Sequence, residues 1–236
     1  MDTPSYQQRR LQIEDYFDQT AFQAWARLTS DAPVGRIRAT VRAGRDRMRH
    51  TLLSWLPADL HGRRLLDAGC GTGALAVEAA RRGAEVVAVD LSPTLVALAQ
   101  ERVPRELQHA GAGGIRFHSG DMADAALGAF DHVVAMDSLI HYGLDDVLRL
   151  LDGWAPRVSG SIAFTFAPRT PALAAMHAIG RLFPRGNRSP AIEPVAEATL
   201  RSRLAARSSL SPWQAGRCER VASGFYTSQA LELVRP

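Results

Sequence analysis

The sequence contains no lysine and only two cysteines, Cys70 and Cys218. All 28 basic residues are arginines, and the formal net charge of +4 is too small to indicate nucleic-acid binding. The planar arginine fork suits carboxylates and phosphates, so the composition is compatible with an anionic small-molecule partner. Two isolated cysteines form neither a disulfide framework nor a metal-ligand spacing. We therefore predict free thiols, no metal site and a cytoplasmic protein.

Long apolar runs are also missing. No stretch reaches the ~18 consecutive apolar residues of a membrane-spanning helix, so we expect none. The N-terminal residues lack the apolar segment and the cleavage site of a secretory signal. The length of 236 residues suits one globular domain with additions.

Residues 1–62 have helical patterns, and we predict helices over 6–17, 20–28 and 33–56. In the third helix, apolar residues recur with the helical period and predict a buried stripe. This stripe consists of Ile37, Val41, Gly44, Met48, Leu52 and Trp55. A parallel stripe about 100° round the helix consists of Arg38, Arg42, Arg45 and Arg49. It is either a solvated flank or a source of one or two contacts with an anionic substrate, for which Arg38 is the candidate.

From residue 63 onward, strand and helix patterns alternate, which is typical of a parallel sheet with helical crossovers. The predicted strands span 63–67, 85–89, 115–119, 131–136 and 160–166. The predicted helices between and after them span 73–82, 93–103, 145–154 and 171–183. A proline-containing loop, a helix over 196–207 and two paired edge strands over 214–223 and 226–234 complete the chain.

These patterns predict an α/β fold with a doubly wound, mostly parallel sheet and an antiparallel edge strand. The sheet domain would span residues 63–236 and would carry an insertion at about 168–195. Residues 1–62 would form an N-terminal helical arm or lid.

A glycine-rich turn follows the first predicted strand. Gly69, Gly71 and Gly73 permit a tight turn and the close approach of a ligand, and the helix behind them offers free N–H groups. The same residues also satisfy the nucleotide fingerprint G-x-G-x-x-[GA], which leaves an NAD(P)-linked dehydrogenase open. We find no obvious hydride-transfer residues to support that alternative.

Acidic residues after three strands favour S-adenosylmethionine (SAM) over NAD. Asp67 is positioned to accept from an α-ammonium group, which NAD lacks. Asp90 can accept ribose hydroxyls, and Asp121 can accept from an adenine amino group. In order and spacing, these segments resemble the first three motifs of the class I methyltransferases over about residues 63–140. The predicted cofactor-binding residues are Asp67, Gly69, Gly71, Gly73, Asp90, Leu91, Asp121, Met122 and Asp137.

The methyl acceptor should bind beyond the fourth strand, because ligands of open α/β sheets bind at the carboxyl ends of strands. His141 is the ionisable residue expected there, and it would orient the acceptor or take a proton from it. Tyr16 would either close over the site as part of a lid or anchor in the core, and Phe17 is expected to be a core anchor.

Residues 15–49, 136–142, 164–195 and 223–233 resemble the magnesium-protoporphyrin O-methyltransferase family. The resemblance implies methyl esterification of a propionate of magnesium-protoporphyrin IX. It also implies catalytic roles for Tyr16 and His141 and cooperation with the large subunit of magnesium chelatase.

The insertion fits such a substrate, because it combines apolar residues with four arginines that can bind carboxylates. These are Arg169, Arg181, Arg185 and Arg188. Its apolar part could also touch a membrane surface peripherally. Two alternatives remain: a SAM-dependent enzyme for another small aromatic acceptor, and a non-catalytic SAM-binding partner of the chelatase.

Overall fold

The computed structural model describes residues 4–20, 22–30, 33–169 and 191–235. The helix predicted over 171–183 lies outside the described residues, and so do Arg181, Arg185 and Arg188.

The described strands form one seven-stranded sheet. They are β1 (Arg64–Ala68), β2 (Glu85–Asp90), β3 (Ile115–Ser119), β4 (Phe130–Ala135), β5 (Val158–Phe166), β6 (Gln214–Ser223) and β7 (Tyr226–Val234). The order is β3-β2-β1-β4-β5-β7-β6. Strands β1 to β5 are parallel, and β7 runs antiparallel to both β5 and β6. The doubly wound sheet and its antiparallel edge are confirmed. The order reverses between β1 and β4, which is where open α/β sheets bind ligands.

The helices lie close to their predicted positions. They are α1 (Pro4–Asp15), α2 (Phe22–Leu28), α3 (Arg36–Ser54), α4 (Ala74–Arg81), α5 (Pro93–Arg102), α6 (Leu144–Trp154) and α7 (Glu197–Ala205). Helix α5 shows why local sequence sets their ends. Ser92 Oγ accepts from the N–H of Leu95, and Pro93 occupies the first turn. The helix stops at an extended Val103 because the next residue is a proline.

The central strands are buried on both faces, as their continuous apolar runs predict. Leu66, Val87 and Val133 belong to a cluster with residues of α6. Their neighbours on the opposite face pack with α3 and α4 in a second cluster. The two layers leave the carboxyl ends of the strands as the open edge of the sheet.

The prediction that the apolar stripe of α3 is buried is only partly correct. Gly44, Met48 and Leu52 are buried, and Val41 and Trp55 are half-buried. Ile37, by contrast, is 60% exposed, because residues 36–40 at the start of the helix are all exposed. The helical period therefore identified the buried face but not the point at which the helix leaves the core.

Two smaller expectations concern thiols and membranes. Cys70 and Cys218 are both free, as predicted. None of the helices within the described ranges is long and apolar enough to cross a membrane.

Candidate cofactor and acceptor site

A cavity of about 690 Å³ lies beyond the carboxyl ends of the parallel strands. The glycine turn after β1 and the acidic residues after β2 and β3 line one part of it. Tyr16, His141 and Arg38 line another part. The structure therefore joins the predicted cofactor residues and the predicted acceptor residues in one space.

The glycine turn contributes to this cavity through Gly69 and Gly71. Gly69 has φ of +85°, and a Cβ atom there would lie 2.3 Å from the Cβ of Ser138. Only glycine therefore lets the turn pass so close to the loop after β4. Gly73 is not among the described residues that line the cavity, and its contact with the cofactor stays a prediction. It has φ of +80° and packs against Phe117 and Val103, so it serves the turn and the start of α4.

Asp67 is the most unusual charged residue of the cavity. It is 1% exposed, and its Oδ2 has no hydrogen-bond partner among the described residues. Burial and the nearby Asp90 raise the pKa of Asp67 to about 7. A buried carboxylate oxygen without a partner is costly, so this site suits a ligand that brings a cation. An α-ammonium group meets that requirement, and the residues present fit SAM.

Asp90 already has hydrogen-bond partners in the protein. Its carboxylate accepts from the N–H of Gly71 (2.8 Å) and from the N–H of Ser92 (3.0 Å). Burial raises the pKa of Asp90. The side chain ties β2 to the glycine turn while lining the cavity, and its contact with ribose stays a prediction. Leu91 and Met122 contribute apolar wall nearby.

Asp121 connects the cavity to α1. The Tyr6 hydroxyl donates to Oδ1 at 2.7 Å, and Arg10 Nη1 donates to Oδ2 at 2.8 Å. The N–H of Ala123 also donates to Oδ1, at 2.8 Å. The adenine contact of Asp121 stays a prediction, but its carboxylate is held mainly by a helix about 110 residues earlier in the chain.

Asp137 has protein partners as well. It is the one non-glycine residue with positive φ (+55°) in the described chain. Its carboxylate accepts from Arg45 Nη1 at 2.6 Å and from the hydroxyls of Tyr226 (3.1 Å) and Ser228 (3.0 Å). Arg45 also lies over the ring of Trp25, 4.5 Å from its centroid. In this geometry Asp137 holds Arg45 over Trp25 of α2, and the contact of Asp137 with the cofactor stays a prediction.

His141 and Tyr16 meet through Phe17. His141 is buried in the 3-10 turn Leu139–His141 and lies 6.1 Å, ring to ring, from Phe17. Tyr16 begins a π-helical turn (Tyr16–Thr20) and lies 5.2 Å from the same ring. Phe17 is half-buried and packs against the core, as predicted. Its ring also lies beside both predicted catalytic side chains.

The arginines of the α3 stripe differ in whether their guanidinium groups are already bonded within the protein. Arg42 donates to the carbonyls of Leu28 and Arg27, while Arg49 pairs with Glu78 at 3.0 Å. Arg38 lines the cavity, is exposed, and has no ion-pair partner in the described ranges. Of the four residues, Arg38 alone combines access to the cavity with a free guanidinium among the described residues.

The two ends of the predicted insertion are joined beside the acceptor loop. The N–H of Val195 donates to Ala167 at 2.9 Å, and the N–H of Glu193 donates to Ile140 at 2.8 Å. The Glu193 carboxylate pairs with Arg9 of α1 at 2.8 Å. Arg169 is exposed at this junction and is not among the described cavity-lining residues. The position of Arg169 therefore does not support a contact between this residue and a ligand in the cavity.

Several residues of the site were not predicted. Tyr6 and Arg10 hold Asp121, Arg45 and Trp25 form a stacked pair over the cavity, and Phe225 is 61% exposed where it lines the cavity. The sequence signal for Arg45 was the arginine stripe on α3. No local pattern pointed to the other residues, because their partners are remote in sequence.

Comparison with known proteins identifies the family. Residues 135–235 match the family described as "Magnesium-protoporphyrin IX methyltransferase C-terminus", and residues 65–158 match "Methyltransferase domain". The magnesium-protoporphyrin O-methyltransferase of Rhodobacter capsulatus is 52% identical over 228 residues, covering 96% of this chain and 97% of the relative. The Synechocystis enzyme of that name is 30% identical, with 94% and 95% covered.

A crystal structure of the Synechocystis magnesium protoporphyrin IX methyltransferase with bound SAH superimposes with a TM-score of 0.81. It has 30% identity and covers 95% of this chain and 98% of that one. The family prediction is confirmed, and the dehydrogenase alternative is not supported. The chain belongs to the magnesium-protoporphyrin O-methyltransferases, a family of SAM-dependent enzymes.

Proposed function

We propose that this protein transfers a methyl group from SAM to a propionate carboxylate of magnesium-protoporphyrin IX, which yields the monomethyl ester and S-adenosylhomocysteine. The observation that carries the proposal is the shared cavity, which has a buried carboxylate with one oxygen unpartnered among the described residues in one part and His141, Tyr16 and Arg38 in another. The activity named for the 52% identical relative supports the choice of acceptor.

The cofactor half of the cavity provides a complementary group for each part of SAM. Asp67 would accept from the α-ammonium group, and the turn at Gly69 and Gly71 would receive the methionine carboxylate. Asp90 would bind the ribose, and Asp121 would accept from adenine. When bound, SAM supplies an electrophilic methyl group on a sulfonium.

The acceptor half has to orient the substrate more than to activate it. A propionic acid side chain ionises with a pKa of about 4, so it is already a carboxylate at neutral pH and needs no strong base. Positioning alone can lower a barrier by ~7–11 kcal/mol at best. His141 would orient the carboxylate or remove the proton of a minority neutral form, and Tyr16 would close the site from the arm.

The mouth of the cavity suits a large, flat, apolar dianion. Arg38 would pair with a carboxylate, and the exposed ring of Phe225 would offer an apolar contact. We also propose that the insertion covers the macrocycle with the help of its arginines, since its two ends are joined beside Ile140. This proposal extends to Arg181, Arg185 and Arg188, outside the described residues.

The same open mouth supports a proposal about delivery. The large subunit of magnesium chelatase would hand over the porphyrin here, and a membrane surface would be touched peripherally. Ile37 and Phe225, both more than half exposed, provide apolar contacts for such an encounter. If the subunit lowers the apparent KM for the porphyrin without changing kcat, delivery is supported. An unchanged KM would argue against it.

A turnover assay tests the proposed reaction. Purified protein would be incubated with SAM and magnesium-protoporphyrin IX, and the monomethyl ester would be identified by mass spectrometry. We expect ester formation that falls at least tenfold in His141→Ala and Tyr16→Phe. His50→Ala removes an exposed histidine of α3 and should keep wild-type activity. Methylation of a phenol or quinol but not of the porphyrin would favour another acceptor, and SAM binding without turnover would favour a binding protein.

A further inference from the structure

Helix α1 contacts both halves of the cavity through one side chain. Tyr6 is 5% exposed, and its hydroxyl donates to Asp121 Oδ1 at 2.7 Å. Its ring stacks on the ring of Tyr142 with 5.1 Å between centroids and 27° between planes. Asp121 lies on the cofactor side, and Tyr142 directly follows His141 on the acceptor side.

We propose that Tyr6 is a positioning residue for methyl transfer. Its hydroxyl also hydrogen-bonds the Tyr142 side chain, but the hydroxyl and the ring have different main effects. Its hydroxyl orients the Asp121 carboxylate for the cofactor, and its ring orients the turn that carries His141 for the acceptor. This inference rests on the proposed function, because it uses the roles assigned there to Asp121 and His141.

The hydroxyl effect follows from how Asp121 is held. Tyr6 and Ala123 donate to Oδ1, and Arg10 donates to Oδ2, so both oxygens have fixed directions. Each carboxylate oxygen accepts more than one hydrogen bond, so capacity for an adenine amino group remains. Burial raises the pKa of Tyr6, which keeps the hydroxyl a donor at any physiological pH. Loss of this donor would leave Oδ1 held, among the described residues, by the N–H of Ala123 alone, so the Asp121 carboxylate would be oriented less firmly.

The ring effect follows from the packing of Tyr142. This residue is buried, and its N–H donates to Leu139 at 3.1 Å, which closes the turn containing His141. A stacked aromatic pair contributes about 0.5–1.5 kcal/mol beyond its buried area. Removal of the Tyr6 ring would open space beside Tyr142 and relax the turn, and His141 would shift with it.

Helix α1 has other anchors, so Tyr6 is not needed simply to hold it. Arg9 pairs with Glu193 at 2.8 Å, and the Ser5 hydroxyl donates to Asp146 at 3.3 Å. Both contacts remain when Tyr6 is replaced. The effects of substitution should therefore be local.

Two variants separate the effects. Tyr6→Phe keeps the ring and loses the hydroxyl. We therefore expect the KM for SAM and the Kd for S-adenosylhomocysteine to rise about tenfold. The kcat at saturating SAM should stay within about twofold of wild type. Tyr6→Leu loses both, and kcat should fall about tenfold further. Leu11→Ala alters an exposed residue of the same helix and should change neither constant. Tyr6→Met replaces Tyr6→Leu if the latter does not fold.

The readouts distinguish this inference from the reaction itself. Calorimetry with S-adenosylhomocysteine needs no acceptor. A weaker affinity of Tyr6→Phe for this ligand therefore supports the hydroxyl effect even if the acceptor is misassigned. Recovery of kcat in Tyr6→Phe relative to Tyr6→Leu supports the ring effect. An unchanged Kd in Tyr6→Phe would overturn the proposal. Equal losses of kcat in both variants, indicating a merely structural role, would also overturn it.

Discussion

The protonation of Asp67 should make the affinity for SAM depend on pH near neutrality. The pKa of this carboxyl is raised to about 7, because it is buried and lies near Asp90. An ammonium group is bound well only by the ionised carboxylate. About one-tenth of the Asp67 carboxyls are ionised at about pH 6 and about three-quarters at about pH 7.5, so the affinity should rise roughly eightfold between them.

The same residue should reduce stability as the pH rises. Because the folded-state pKa lies above the ordinary value of 3.8, the folded protein binds this proton more tightly than the unfolded chain does. The contribution of the protonated Asp67 carboxyl to the free energy of unfolding is complete below about pH 4 and is lost as the pH rises through about 7. The full change is at most ~4 kcal/mol.

Asp67→Asn tests both effects with one change. The amide cannot ionise, so the variant avoids the free-energy cost of a buried ionised carboxylate at neutral pH. It adds a buried N–H donor, however, whose missing partner costs ~1–3 kcal/mol. We therefore expect a free energy of unfolding at about pH 7.5 that equals or exceeds that of wild type. SAM binding should nevertheless weaken at least a hundredfold, because the ammonium loses its counter-charge.

Calorimetric titration with SAM at about pH 6 and pH 7.5, alongside urea unfolding, measures these quantities. Asp59→Asn changes an exposed aspartate outside the cavity and should retain both the affinity and its pH dependence. A wild-type affinity that stays flat across this range would refute the reasoning, and so would tight SAM binding by Asp67→Asn.

Three further predictions concern the arm and the acceptor side. Arg45→Met should lower the free energy of unfolding by about 3 kcal/mol in urea titrations, because it leaves the buried Asp137 carboxylate without its cation; a loss below about 1 kcal/mol would contradict this. Arg38→Gln should raise the KM for the porphyrin about tenfold and leave the KM for SAM unchanged, whereas Arg36→Gln on the same exposed turn should leave both unchanged. Deletion of 170–190 should abolish the porphyrin absorbance shift while calorimetry still detects SAM binding; intact porphyrin affinity would exclude the insertion as its cover.

The sequence by itself determined most of the secondary structure and the chemistry of the cofactor half. The strands β3, β6 and β7 have their predicted bounds, and the other strands differ by up to two residues at either end. Local signals suffice there, since apolar runs define buried strands and glycine, serine or proline define the turns between them. The residues after each parallel strand also meet at one edge, so motifs far apart in sequence could be assigned to one site.

The tertiary structure decided what each of these groups is bonded to. The partners of Asp121 on α1 and of Asp137 on α3 could not be read from the chain, because each contact joins residues about 90 to 115 positions apart. The same holds for Ile37, which lies in the exposed first residues of α3. It also holds for the surroundings of Gly73, where an added Cβ atom would lie 3.3 Å from Phe117 and Val103. Periodicity and motifs record which residues share a face or a turn, whereas the partner of a buried charge is set by the packing of whole elements.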